Sequence, residues 1–299
     1  MKKTKNKKTN FMNRVTWLDV LILIVLAALA LLTLFHFYYV VLLSFSDSVS
    51  YAKHPLYLLP YSFNLTGYKA IFDDAGFIKA IAVTLFITIV GTSINMFLSV
   101  TGAYVLSRKQ LVGRKFFLNL ILFTMLFGGG LIPSYLVTKG LGLVNTVWSL
   151  ILPSAISTYY LIIMKNYFMS LPDSLLEAAK IDGANEAVIL VKIALPISIP
   201  FMATFFLFYA VERWNEWYLA TLYINKSALR PLQTYLRGVL IEMNNTLNDI
   251  AKEHATGSQV NTMAVRMASI VVATVPILCV YPFVQKHFVK GVMVGGIKE

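Results

Sequence analysis

A single cysteine, Cys279, stands in 299 residues, which excludes an internal disulfide framework and any cysteine-based metal cluster. Charge is scarce too. Only 13% of the chain is Asp, Glu, Lys or Arg, against about a quarter in soluble domains, so a soluble surface is excluded. No Gly-Lys dipeptide occurs, so the chain has no phosphate loop of the Walker type. Acidic residues are the rarer sign, 14 against 26 basic ones, for a net charge of +12. That excess does not read as nucleic-acid binding. The basic residues stand in short runs beside apolar stretches, as membrane topology requires, with no basic surface interleaved with aromatics.

What fills the chain is apolar sequence, 58% of all residues. After a basic tail at 1–15, apolar runs recur at about 18–43, 78–106, 116–137, 147–169, 197–224 and 267–285. Each has the ~20 residues a membrane-spanning helix needs. The first is longer than a signal-peptide core and lacks a clear cleavage site, so it is expected to stay as a span. The expectation is an all-α, multi-pass membrane protein with six transmembrane helices, a domain of 16–290 and a C-terminal tail of 286–299. With the N-terminus inside, sixteen Lys and Arg fall on the cytoplasmic side and nine outside. Arg108, Lys109, Arg114 and Lys115, in one short loop, give the strongest vote for both termini being cytoplasmic.

Against this apolar background the loop at 170–196 is conspicuous for its charge: Asp173, Glu177, Lys180, Asp182, Glu186 and Lys192. Ser174 and Glu177 have the spacing of a capping box. Leu175, Leu176, Ala178, Ala179 and Ile181 then give an apolar and a mixed face, with Ala178 and Ala179 small enough for another protein to approach. Gly183 is placed to end the helix in a left-handed conformation, and Asn185 to cap the next. Pro196 and Pro200 fall at the start of the following span, where a missing amide proton costs least.

Glu177-Ala178-Ala179, Gly183 at the sixth position after the glutamate, and Ile193, Leu195 and Pro196 beyond it resemble the EAA loop of ABC-importer permeases. The resemblance implies a type I ABC importer permease fold and a short cytoplasmic coupling helix that docks on an ATPase subunit. Glu177, Ala178, Ala179, Asp182, Gly183, Ala184, Leu195 and Pro196 would be the coupling residues. Gly128-Gly-Gly-Leu-Ile-Pro133, Gly140 to Thr146 and Pro231-Leu-Gln233-x-Tyr-Leu-Arg237 are similar to the branch that imports polysaccharide-derived oligosaccharides. Family members usually carry aromatics where this chain has Ala187 and Leu190. The implied partners are a second homologous permease, a dimer of cytoplasmic ATPases, an extracellular sugar-binding protein, the oligosaccharide and the lipid bilayer of a bacterial cell membrane. No cofactor is expected on this chain; ATP and magnesium would belong to the ATPases.

Other features carry their own expectations. Consecutive glycines at 128–130 cost helix propensity, about 1 kcal/mol each, and predict a kink or a close helix approach. The first outer loop, about 44–77, is expected along the membrane surface with aromatics such as Tyr51 and Tyr61 at headgroup level and His54 solvated. His36 is expected to hydrogen-bond a neighbouring helix. The last outer loop, about 225–266, includes a surface helix expected over 229–247.

Span five holds Glu212, Arg213, Trp214, Asn215, Glu216 and Trp217. A central Arg costs about 2.5–3.5 kcal/mol on insertion scales, so the group should avoid lipid. Arg213 and Glu216, three apart, and Glu212 and Glu216, four apart, would share a helix face. Two readings stand. These are candidate substrate-pathway residues, with Trp stacking on sugar and polar groups meeting hydroxyls; or they are an interfacial anchor with Arg213 snorkelling outward.

Three functions were weighed: an ABC permease, an ion-driven secondary transporter, and a membrane-embedded enzyme. The second needs carboxylates or broken helices near the midplane, usually in repeated halves, and no internal repeat is visible. The third needs paired catalytic groups in mid-membrane, which only span five approaches. The permease reading, non-catalytic in itself, accounts for the most residues.

Overall fold

The computed structural model describes residues 16–54, 56–239, 241 and 262–296. The basic tail at 1–15, most of the last outer loop (242–261) and the final three residues lie outside them. Among the described residues every regular element is helical: α1 (Trp17–Ser44), α2 (Ser48–Lys53), α3 (Thr66–Phe72), α4 (Ala75–Ser107), α5 (Arg114–Leu126) and α6 (Leu131–Gly140) come first. Two 3₁₀ turns (Val147–Leu150, Leu152–Ser154), α7 (Thr158–Met169), α8 (Asp173–Ile181) and α9 (Glu186–Ile189) follow. A π turn then leads into α10 (Leu195–Trp214), α11 (Tyr218–Tyr223), a helix α12 over 232–239 and α13 (Thr262–Gly296).

Four helical stretches are long and apolar enough to cross a membrane: Trp17–Ser44, Ala75–Ser107, Glu186–Trp214 and Met263–Val280. The other two expected spans are not straight helices. α5 and α6 meet at 116°, and the 3₁₀ turns meet α7 at 49°. α5 has 13 residues, roughly 20 Å at 1.5 Å per residue, short of a ~30 Å hydrocarbon core. The break falls at the predicted glycines. Gly130 has φ +81° and nothing lies within 4 Å of a Cβ added at Gly128 or Gly130, so the glycines serve the bend and not a close helix contact. α13 continues to Gly296, past the expected end of span six.

The chain divides into two compact units, one within residues 1–67 and 259–268, the other within 68–258 and 269–299. In the first, α1 exposes apolar side chains almost all round, as a helix facing lipid does. His36 hydrogen-bonds the Leu32 carbonyl of its own helix (2.7 Å), not a neighbouring one, because the carbonyl one turn back is within reach of its ring. The segment after α1 packs one of its aromatics back onto the end of that helix. Tyr57 is fully buried against Leu42 and Leu43 and exchanges a hydrogen bond with Ser62 (2.9 Å). His54 stacks on Tyr61 at 3.8 Å between ring centres, which takes one face of its ring out of water.

In the second unit, α4, α7 and α10 pack side by side. Val100, Ala103 and Tyr104 meet Met164 and Phe168 of α7 and Met202, Phe205 and Tyr209 of α10. Between helices in lipid such contacts stabilise through close van der Waals packing, since the acyl chains are as apolar as the side chains. Ser99 and the Tyr209 hydroxyl share a hydrogen bond of 2.7 Å across this core. α12 is not a free surface helix, because its apolar stripe has a place to go. Leu232 and Leu236 are buried, and Leu232 N donates to Thr84 Oγ1 at 2.7 Å.

Candidate functional site

α8 begins at Asp173, with Pro172 at its N-cap and no side-chain cap. The expected capping box is therefore absent. Pro172 presets the backbone two residues early, which puts Ser174 and Glu177 inside the helix and out of capping position. The C-terminal prediction holds in detail. Gly183 has φ +80°, Gly183 N donates to Lys180 O (3.0 Å) and Ala184 N to Ala179 O (2.9 Å), the pair of bonds that defines a Schellman motif. Asn185 caps the next helix, its side chain accepting from Val188 N at 2.9 Å.

The two alanines differ in role. Ala179, with Leu176, is buried in the core built by α4, α7 and α10, whereas Ala178 is exposed. Positions three apart face one way on a helix, so 176 and 179 turn inward together. Glu177, Asp182 and Gly183 are exposed, and Ile181 is 86% exposed beside half-open Leu175. Among the described residues no cation lies within ion-pair distance of Glu177. It lines, with Arg108, Lys109, Asp173 and Lys180, a cavity of about 260 Å³.

A residue without a role in the sequence reading ties this loop down. Glu186 Oε1 pairs with Lys180 Nζ at 2.7 Å, and its Oε2 accepts from the Tyr104 hydroxyl at 2.7 Å, with Arg108 Nε at 3.8 Å. Arg108 in turn lies over the Tyr104 ring, 4.1 Å from its centre. Three elements, α4, α8 and α9, are thus joined at one carboxylate. The only sequence sign was its place in a charged loop; its partner Tyr104 lies 82 residues away. Glu186→Ala is expected to raise amide hydrogen exchange over 173–185 while costing no more than about 1 kcal/mol of global stability, since the pairs are part-exposed. Unchanged exchange in that segment would show that the carboxylate anchors nothing.

Leu195 packs on the core and Pro196 is exposed. The helix that contains them starts at Glu186, earlier than expected. It passes Pro196 by widening into a π turn over Leu190–Ala194, which accommodates a residue without an amide proton. Counting from Leu195 to Trp214, roughly 30 Å of helix separates this loop from the second cluster.

That second cluster is split by the fold. Arg213 is 3% exposed and does not snorkel outward. Its guanidinium donates to Asn95 Oδ1 (2.9 Å), to the carbonyls of Leu150, Ile151 (3.1 Å) and Ser154 (2.8 Å), and to Ser154 Oγ (2.9 Å). Gly91 leaves it room, since a Cβ there would sit 3.1 Å from Arg213 Cδ. Arg213 thus ties the broken fourth span to α10, beside the Ser157 N bond to the Tyr209 hydroxyl at 3.1 Å. Trp214 is buried too, its Nε1 donating to Ala273 O at 3.2 Å. α10 ends at Trp214, so Glu216 does not share a helix face with Arg213 or Glu212; it accepts from Leu219 N at 2.8 Å and caps α11. Glu212, which accepts from the Tyr160 hydroxyl at 2.6 Å, and Asn215 and Trp217 remain exposed. With Arg213, Glu216 and Ser154 they line a cavity of about 450 Å³. Asp74, which caps α4, lies outside the spans. Its carboxyl is held below the usual range chiefly by a hydrogen bond from Tyr235 of α12, then by Gly76 N. This tie is lost only as pH falls through that lowered value.

Helices long and apolar enough to cross a membrane, with a capped, exposed loop between core helices, define a multi-span membrane protein. The family model described as "Binding-protein-dependent transport system inner membrane component" matches residues 82–294, and the chain belongs to that family. It is 45% identical over 280 residues to the Bacillus subtilis (strain 168) polygalacturonan/rhamnogalacturonan transport system permease protein YtcP, covering 94% of this chain and 98% of that protein. It is 44% identical to protein LplC of the same strain, over 94% of each chain. Among solved structures, a chain of a bacterial ABC transporter involved in the import of the acidic polysaccharide alginate superimposes with a TM-score of 0.84 at 32% identity. The match covers 93% of this chain and 100% of that one. The chain is an inner-membrane permease of binding-protein-dependent transport.

Proposed function

We propose that this chain is one of two homologous permease subunits of an ATP-driven importer of oligosaccharides. An extracellular sugar-binding protein delivers the cargo, and a dimer of cytoplasmic ATPases, which alone hold ATP and magnesium, drives the cycle. Both termini and the loop at 170–196 face the cytoplasm in this reading. The observation that carries it is α8 itself: an exposed surface of Glu177, Ala178 and Ile181 on a helix whose other face is buried in the core of the spans. A push on that surface passes to α4, α7 and α10 through Leu176, Ala179 and Glu186 with little slack. The cycle requires two arrangements of those spans whose balance ATP shifts.

The cavity at the other end of α10 supplies the sugar contacts. Trp217 offers an apolar face and Glu212, Asn215 and Glu216 offer hydroxyl partners, while Arg213 and Trp214 hold the frame behind them. The test is reconstitution of the subunits in liposomes. Oligosaccharide uptake should require ATP, the ATPase chains and the binding protein, and should survive collapse of ion gradients. Uptake that follows an ion gradient without the ATPases would overturn the reading.

A further inference from the structure

A second cavity, about 500 Å³, shares Asn215 and Trp217 with the first and is lined further by Gln233, Leu236, Arg237 and by Ile270, Ala273, Thr274 and Ile277 of α13. Its volume is within the ~300–1,000 Å³ of small-molecule sites. The chemistry of the two differs. The first has two carboxylates, Glu212 and Glu216, beside an Arg213 whose donors are committed to the fold. The second has a cation, two amides and a hydroxyl, and no carboxylate.

Arg237 is the cation. Its guanidinium lies over the Trp217 ring, 4.4 Å from the centre. It is exposed, and among the described residues no hydrogen bond or ion pair occupies its N–H groups. That contact uses the face of the guanidinium and leaves its N–H groups available, the fork that meets a carboxylate through two parallel bonds. The helix that carries it is itself held, by buried Leu232 and Leu236, by Leu232 N on Thr84 Oγ1 and by Tyr235 on Asp74. Gln233 donates to Asn215 Oδ1 at 3.4 Å, which leaves its carbonyl oxygen for a hydroxyl.

We propose that Arg237, set on Trp217, is a specificity-determining residue that reads the carboxylate of an acidic sugar unit in the transported oligosaccharide. This rests on the importer reading above and adds the substrate class. The neighbouring Glu212 and Glu216 repel a carboxylate and accept hydroxyls, so the two cavities together orient an acidic sugar with its carboxylate toward Arg237.

The probe is trigalacturonate, with its fully methyl-esterified form as the uncharged control. Direct binding to the purified permease–ATPase complex is measured without binding protein, so delivery does not set the preference; ATP-driven uptake of the free acid is measured with it. Wild type should bind the free acid in preference to the ester. Arg237→Gln should weaken free-acid binding by roughly ten- to hundredfold, the scale of a charge-assisted hydrogen bond. It should bring acid and ester to similar affinity and lower uptake through KM. Arg237→Lys, which keeps charge but loses the fork, should fall between. If wild type imports the free acid yet Arg237→Gln retains the acid-over-ester preference, the subsite is wrong and the importer reading stands. Equal loss for acid and ester would assign Arg237 to general structure or to binding-protein docking and would also overturn it. If wild type neither binds nor takes up the free acid while another oligosaccharide is imported with ATP, this inference falls and the importer reading stands; if no oligosaccharide is imported with ATP, the importer reading falls too.

Discussion

Arg213→Met is expected to deplete the assembled transporter, not merely slow it. The substitution removes the Arg213 donors from Asn95 Oδ1, from the Leu150 and Ile151 carbonyls and from Ser154, whose carbonyl keeps its bond from Asn95 Nδ2. Those groups lie in a buried cluster where water does not replace the lost partner. Each buried neutral acceptor left unsatisfied costs about 1–3 kcal/mol. Arg213→Lys keeps the charge, but three donors on one nitrogen cannot serve five acceptors spread across two turns and α4. It should fall short of wild type as well. The measurement is the amount of detergent-stable complex recovered and its thermal unfolding midpoint, set beside Trp217→Leu. That variant touches an exposed residue and should lower uptake with little loss of protein. Wild-type recovery and midpoint for Arg213→Met would show that the 3₁₀ turns are held by something else.

Gly183→Pro and Glu177→Lys should abolish sugar uptake and release the ATPases while the permease pair still assembles. At Gly183 the argument is backbone only, because nothing lies within 4 Å of an added Cβ and φ is +80°. Alanine there carries strain of about 1 kcal/mol. Proline imposes the opposite sign of φ and removes the amide that donates to Lys180 O, so the Schellman turn cannot close. The expected order is therefore Gly183→Ala mild and Gly183→Pro severe. Glu177→Lys acts differently: the residue is exposed and caps nothing, so the helix should persist and the effect should fall on the partner, whose surface now meets reversed charge. Co-purification of the ATPases and uptake in the same strains decides it. Retained ATPases together with normal uptake in both variants would remove α8 from the coupling path.

Much of this was written in local sequence. Apolar runs of sufficient length specify helices in lipid, because backbone groups there have no other partners. A glycine six residues after Glu177, followed by Asn185, specified a helix stop and a new start, because left-handed φ and side-chain capping are properties of one or two residues. The triple glycine marked a break for the same reason. What local pattern could not decide was which face of a helix meets what. The start of α8 moved because Pro172 preset it, and Ala179 turned inward because the α4–α7–α10 core was there to receive it. Arg213, legible only as a costly charge in an apolar span, found its acceptors 59 to 118 residues away, on Asn95 of α4 and in a stretch whose 3₁₀ turns expose the carbonyls it needs. Glu186 and Arg237 acquired their settings in the same way, from Tyr104 and Trp217. Composition and short-range spacing determined the elements, since those depend on neighbours in the chain; the pairing of buried polar groups was decided by tertiary structure, since in an apolar interior each donor must find an acceptor wherever packing brings one within about 3 Å.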